Sequence, residues 1–348
     1  MTPNTRLPEQ ITSEEQLDEI LSRPTPDLVK LMRRIEGDII ILGAGGKMGV
    51  SLGMLAARAV AEARVVKEII AVSRFTEPDS EAKLTADGVE TISCDLLDPQ
   101  QTMNLPPVEN VIYMAGRKFG TDGDEPLTWA LNTVLPVNVA HRFRGSRIVA
   151  FSTGNVYPPQ PAPGSGCTES TPPQPVGEYA QSCLGRERIF QYYSTADNTP
   201  ACLMRLNYAV DLRYGVLHDI AVKVQNGEPV DLAMGYVNLI WQGDANLFAL
   251  RCLEQCATPA AALNVTGPSA YSVRQLAESI AEIMGKPVSF TGAESDVAYL
   301  SDASRAIELF GAPAVSVGQM LRWNAHWVMS GGRSLGKPTH FETFDGRY

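Results

Sequence analysis

The 348-residue sequence lacks the features that mark several large classes of protein. No apolar run approaches the ~18 residues that a membrane helix needs, so no membrane partner is expected. Basic residues are scarce: 29 Lys and Arg stand against 39 Asp and Glu, a formal net charge of −10. That balance repels a phosphate backbone, which argues against a nucleic-acid partner. Histidines are few and scattered, at 141, 218, 326 and 340, with no metal-ligand spacing, so no metal is expected. The cysteines at 94, 167, 183, 202, 252 and 256 form no CxxC pair and no disulfide framework, which fits a reduced, cytoplasmic setting. The stretch from Met1 to Asp18 is polar and acidic, unlike a secretory signal. With 44% hydrophobic and 20% charged residues, the chain reads as an ordinary globular protein of one large or two unequal domains.

What is present has a clear rhythm. Ser13 with Gln16 forms a capping box ahead of Leu17, Ile20 and Leu21. Thr25-Pro26 opens a second helix whose apolar face is Leu28, Leu31, Met32 and Ile35, and Gly37 ends it. Asp38-Ile-Ile-Ile-Leu42 is then a short apolar strand, followed by a glycine-rich turn and an Ala-rich helix from about Met48 to Ala63. Further apolar strands are expected at 69–73, 89–94, 111–115, 147–152 and 201–206, with helices between most of them. Such alternation predicts a parallel sheet covered on both faces. A Pro/Gly/Ser-rich loop spans Tyr157 to Pro175, and a helix carrying residues 178–188 follows. Beyond Leu206 the rhythm loosens. The expected organisation is a helical extension over 1–36, a dinucleotide-binding domain over 37–206 and a substrate lobe over 207–348, some of whose segments return to the sheet.

Gly43, Gly46 and Gly49 are spaced three apart between a strand and a helix. A glycine triplet alone fits any tight turn. In this setting it fits a diphosphate cradle, where backbone amides and a helix N-terminus receive the anion. It is not a P-loop, because Met48 follows Gly46-Lys47 where a Ser or Thr is needed. Together with later landmarks, the spacing resembles the extended short-chain dehydrogenase/reductase family, the NAD-dependent epimerase/dehydratase group, over roughly residues 38 to 312. The resemblance implies an α/β fold: a Rossmann-type doubly wound parallel sheet with a smaller C-terminal lobe. It also implies a set of site residues. Gly43, Gly46, Lys47, Met48 and Gly49 would cradle the cofactor. Asp95-Leu96 would contact its adenine, and the small pair Ala115-Gly116 would lie beneath it. Asn132, Thr153 in Phe151-Ser-Thr-Gly-Asn-Val-Tyr157, and Tyr179 would form the catalytic set. Leu206-Asn207, Gly243-Asp-Ala245, Leu263-Asn-Val-Thr-Gly267 and the 272–278 segment match later landmarks.

The second strand ends in Ser73-Arg74 rather than in a carboxylate. A guanidinium beside a small hydroxyl suits a 2′-phosphate, so NADP is the expected cofactor with NAD as the alternative. The alternative is that Arg74 is a solvated loop residue.

The resemblance implies a lysine four residues after the tyrosine, which binds the nicotinamide ribose and lowers the tyrosine pKa. This chain reads Tyr179-Ala-Gln-Ser-Cys183. A free tyrosine titrates near 10, so about a thousandth is ionised at pH 7, a deficit of roughly 4 kcal/mol. A neutral thiol adds no charge, and a thiolate would oppose the phenolate. Substitutes are the cationic oxidised nicotinamide itself and Arg117 or Lys118 after the fourth strand; Arg186, two turns away, reads as too far. Otherwise Cys183 is a small buried residue in a weak or inactive site.

On the substrate side, Leu232 to Asp244 is a shortened version of the segment in which nucleotide-sugar enzymes of the group carry an arginine, and no arginine precedes Tyr236. Arg213 is the remaining anion contact, or else a surface ion pair, and Asn207 is placed beside the nicotinamide. The tail from Gly331 to Tyr348 either covers the site or an interface, or is loosely attached. The expected function is hydride transfer on a sugar or sugar derivative with Tyr179 as acid/base. The competing expectation is an NADP(H)-binding sensor or scaffold without turnover. A homodimer is suggested by the family pattern alone.

Overall fold

The computed structural model describes residues 7–118, 120–337, 339–344 and 346. Seven parallel strands form the central sheet: β1 (Ile39–Leu42), β2 (Ile69–Ser73), β3 (Glu90–Ser93), β4 (Asn110–Tyr113), β5 (Arg147–Thr153), β6 (Ala201–Leu206) and β7 (Ala261–Val265). Their order is β7-β6-β5-β4-β1-β2-β3. The register aligns Ile39 with Ile69 on one side and with Asn110 on the other. β1 and β4 are therefore neighbours across the point where the strand order reverses, which is where an open α/β sheet presents its crevice.

The strands inside the β3 edge are largely apolar without alternation because both faces are covered. Ile39, Ile41, Ala71 and Ile112 face a core with Leu52, Leu55 and Ala59 of α3 (Gly49–Ala63). Ile40, Leu42, Val72 and Val111 face the opposite core with Val139 of α5 (Leu135–Arg142) and Phe190 of α6 (Gly177–Ala196). Between α3 and α5 in the chain lies α4 (Pro78–Ala86). The β3 edge strand is only partly covered and runs over 90–93 rather than 89–94. β4 runs over Asn110–Tyr113 rather than 111–115.

Past β6, short two-stranded pairs support α7 (Val216–Asn226), α9 (Val273–Met284) and α10 (Val317–Met329), with α8 (Gln242–Arg251) between the first two in sequence. Trp323 packs edge-on against Trp241, ring centroids 5.2 Å apart, and Trp323 and Trp327 are both buried on α10. β7 returns to the main sheet beside β6.

The two leading helices join different cores. α1 (Glu14–Leu21) places Leu17, Ile20 and Leu21 among the second-lobe residues, whereas α2 (Pro26–Arg34) places Leu28, Leu31 and Met32 against α3. Ser13 caps α1 by accepting from Gln16 N, while the Gln16 amide oxygen accepts from Thr12 N instead of closing the box on Ser13. α2 ends at Arg34, capped by Ile35, so Gly37 does not terminate it; with φ +79° it turns the chain into β1.

Candidate active site

A cavity of about 690 Å³ opens at the C-terminal ends of β1, β4, β5 and β6. Its floor begins with the glycine turn. Gly43 has φ +93°, and a Cβ there would lie 2.7 Å from the Ala115 backbone. A Cβ on Gly49 would strike the Ala44 carbonyl. Both glycines are therefore demanded by the chain's own packing. Gly46 differs: a Cβ there would meet only the Gly43 carbonyl, at 3.4 Å, and Gly46 faces the cavity. Met48 at the head of α3 supplies no side-chain cap, so its first amides have no capping acceptor of the usual kind.

Lys47 projects from this turn across the cleft, its ammonium 3.3 Å from the centroid of Tyr214. Burial, reinforced by repulsion from Lys118 and Lys337, pulls the Lys47 ammonium down to about 6. The same desolvation brings Lys118 down to about 8. Lys47, Lys118 and Lys337 thus line one space, and an anion entering it would strengthen their hold on the proton.

The outer end is less close to expectation. Ser73 stands against the turn, its Oγ 2.5 Å from where a Cβ on Gly45 would be. Arg74 is exposed and does not line the cavity; Glu77, Asp79 and Lys83 do, with Lys83 held 2.5 Å from Asp18 of α1. Asp95 and Leu96 also lie outside the lining: the Asp95 carboxylate accepts from Leu97 N, and Leu96 is buried.

Behind the inner end, fully buried and outside the cavity lining, Asn132 sits in a single π-helical turn, Ala130–Val134, that widens the helix around it. Its Oδ1 accepts from Arg117 N at 2.9 Å and from Arg186 Nη2 at 2.5 Å, and its Nδ2 donates to Arg117 O and to Ser182 Oγ. Thr153 closes β5, with Oγ1 donating to Asn155 Oδ1 at 3.1 Å. Tyr179 lines the cavity from α6, with Lys118 Nζ 5.8 Å from its ring centroid. Asn207 lines the same wall and donates to Tyr299 O.

Cys183 is buried against Val156, Tyr157 and Cys167 and shares a side-chain hydrogen bond with Tyr179. Burial pushes its thiol up, which keeps it neutral. Arg186, which reads from sequence as too distant, reaches the cavity after all. A Cβ on Gly116 would collide with its guanidinium. The reason is geometric: helical side chains slope toward the N-terminus, so an arginine one turn further on covers the shorter residue's ground.

Two expected anion contacts are already engaged. Arg117 pairs with Asp124 at 2.6 Å and with the Gly120 carbonyl. Arg213 lines the cavity, but its guanidinium is enclosed by Asp211 at 2.8 Å, Asp18 at 3.1 Å and Glu14 at 3.5 Å. The tail is the part that sequence reasoning left open. Arg333, Leu335, Lys337 and Thr339 line the cavity. Leu335 N donates to Arg213 O, and Thr339 donates twice to Asp219 Oδ2, at 2.8 and 2.6 Å. Pro338, Asp345, Arg347 and Tyr348 of that tail, like Met1 to Arg6 of the leader, lie outside the described residues. No cluster of metal-ligating side chains occurs among the described residues, and none of their helices is long and apolar enough to cross a membrane.

Comparison with known proteins bears on this geometry. Residues 39–210 match the NAD dependent epimerase/dehydratase family. No curated protein matches the chain in sequence. Among solved structures, the UDP-glucose 4-epimerase of Thermotoga maritima with UDP-glucose is similar at TM-score 0.69 and 16% identity, over 84% of this chain and 99% of that one. The UDP-glucuronic acid 4-epimerase of Bacillus cereus, in complex with UDP-glucuronic acid and NAD, gives 0.68 and 15%, over 84% and 99%. The UDP-glucose 4-epimerase of Thermus thermophilus, in complex with NAD, gives 0.66 and 18%, over 83% and 98%. Identities this low speak to the fold.

Proposed function

Since residues 39–210 belong to the NAD dependent epimerase/dehydratase family, we propose that this chain is a nicotinamide-dependent oxidoreductase or epimerase acting on a sugar or sugar derivative. Residues 37–206 would hold the cofactor and 207–348 would supply most of the substrate wall. The carrying observation is the cavity that brings the glycine turn, Thr153 and Tyr179 to one face.

The residues present fit a dinucleotide. Gly46 carries no side chain at a point where the chain itself does not forbid one, and the uncapped head of α3 faces the same space. The turn over 43–49 would receive the diphosphate with Lys47 beside it, and Gly116, on the same wall, would border the nicotinamide half. When bound, the cofactor supplies the site that accepts and returns hydride. The chain's own part is proton handling and orientation. Tyr179 Oη takes the proton of the substrate hydroxyl, and Thr153 Oγ1 holds that hydroxyl in line. Asn132 keeps the 117 backbone and Arg186 in register through its amide.

The reading extends to a preference for NADP. Ser73 in place of a carboxylate, followed by Arg74, supports it; Arg74 stands outside the cavity lining and Glu77 and Asp79 are part of it, so the expected preference is no more than about tenfold, or 1.4 kcal/mol. Fluorescence titration with NADPH and NADH tests this. Arg74→Asp should reverse the order, and equal native affinities refute it. Turnover of a sugar panel, lost in Tyr179→Phe, tests the activity.

A chain that binds cofactor without turnover is the competing reading, and the neutral, buried Cys183 is what favours it. Cys183→Lys separates the two. A large gain in turnover marks a decayed site, and a loss marks a working site built around the thiol.

A further inference from the structure

We propose that Arg186 replaces the charge of the absent lysine and stabilises the ionised Tyr179 from beneath. This rests on Tyr179 being the acid/base of the proposed reaction.

Tyr179, Cys183 and Arg186 are spaced i, i+4 and i+7, one face of α6. Moving the cation from position 183 to 186 displaces its Cα by about 4.5 Å along the axis, which a long side chain sloping back toward the N-terminus recovers. The guanidinium is held in place by neutral acceptors only: Nη1 donates to Phe151 O at 2.9 Å and Nη2 to Asn132 Oδ1 at 2.5 Å. Nε has no hydrogen-bond partner among the described residues. The adjacent carboxylate, Glu187, is committed to Arg205 and Ser152. Arg186 is thus a buried cation, 6% exposed, with no carboxylate among the described residues hydrogen-bonded to it, on the wall of the cavity that Tyr179 also lines. An uncompensated buried charge is unfavourable, and an anion forming beside it relieves that cost. The phenolate of Tyr179 is the anion that the proposed chemistry would create there.

The other charged and titratable groups facing this region do not serve as well. Cys183 and Tyr113 are pushed toward their neutral forms by burial. Glu178 accepts from Trp129 Nε1. Asp219 lies across the cavity under the tail and acts on Lys118 and Lys47. Lys118 is a second cation, 5.8 Å from the Tyr179 ring centroid, but desolvation lowers its own hold on the proton.

The test reads Tyr179 directly, in cofactor-free protein. Ultraviolet absorbance of tyrosinate is followed against pH in the native chain and in Tyr179→Phe, and the difference isolates this residue. The pair is repeated in Arg186→Gln, Arg186→Lys and Lys118→Met, with circular dichroism to confirm folding. The expected midpoint is about one pH unit or more higher in Arg186→Gln than in the native chain, with Arg186→Lys between them. Lys118→Met should move it less. Equal midpoints in native and Arg186→Gln, or a larger shift in Lys118→Met, overturn the proposal. If Arg186→Gln does not fold, the native midpoint decides: a value at or above the ordinary ~10 overturns it. Turnover that survives in Tyr179→Phe defeats the functional reading instead, and leaves the titration result standing.

Discussion

Arg186 and Glu187 are consecutive on α6 and both buried, yet their surroundings differ in kind. Glu187 belongs to a closed network. It accepts from Arg205 at 2.8 and 2.6 Å and from Ser152 at 2.5 Å. Arg205 donates on to Tyr157 Oη, which donates to Asn264, whose amide donates to the Cys167 and Asp302 carbonyls. This chain of bonds ties β5, β6 and β7 together at their C-terminal ends. Arg186 belongs to an open network, with one nitrogen unmatched among the described residues and a cavity on its flank. The lesson concerns buried charge. Where every partner comes from the chain, the charge holds geometry; where partners run short, it remains available to whatever enters or forms nearby.

Four experiments strain this contrast. The largest effect belongs to the closed side: Glu187→Gln strips Arg205 of its carboxylate and should cost about 3–5 kcal/mol in urea unfolding. If Arg186→Gln destabilises as much, the two networks are not different in kind. On the open side, Tyr179→Phe should lower turnover by about 10²–10³-fold, roughly 3–4 kcal/mol, while the melting temperature hardly moves. The glycine turn repeats the contrast at smaller scale. Gly43→Ala meets both a left-handed backbone and the Ala115 main chain and should cost about 2–3 kcal/mol of stability. Gly46→Ala should leave stability alone and weaken cofactor binding about tenfold; calorimetry showing unchanged affinity would mean that the cradle lies elsewhere.

The last effect concerns pH. Lys47 is pulled down to about 6 in the fold, against about 10.4 in an unfolded chain. Between those values the unfolded state binds the extra proton, so stability rises with pH across that window and is lowest below about 6, where both states are protonated. Urea midpoints of cofactor-free protein at pH 6 and pH 9 should show this rise in the native chain and a flatter response in Lys47→Met.

Much of this was legible in the order of residues. The inner strands carry short apolar runs, such as Ile39–Leu42 and residues 148–151, because helices cover both faces, and such runs announce themselves. Spacing led to the expectation of Gly43, Gly46 and Gly49, and likeness to a family pattern to that of Asn132, Thr153 and Tyr179; the fold brings Gly43, Gly46, Thr153 and Tyr179 to one cavity and leaves Gly49 and Asn132 outside its lining. What stayed hidden depends on distant chain. Tyr214 under Lys47, Asp18 beside Lys83 and Lys337 from the tail are joined to the site only by folding, and no local pattern marks them. Arg213 could not be known to be enclosed until Glu14 and Asp18 were placed against it. Arg186 is visible in the sequence but its range is not, since reach along a helix depends on side-chain slope as much as on residue count.

Asp18, ahead of the first strand, and Thr339, beyond the last helix, border the same cleft. The two peripheral segments are therefore walls of one enclosure as well as parts of one core, since Leu17, Ile20 and Leu21 of the leader and Phe341 of the tail are buried together in the second lobe. Trimming either one would disturb the cleft and lower the melting temperature together.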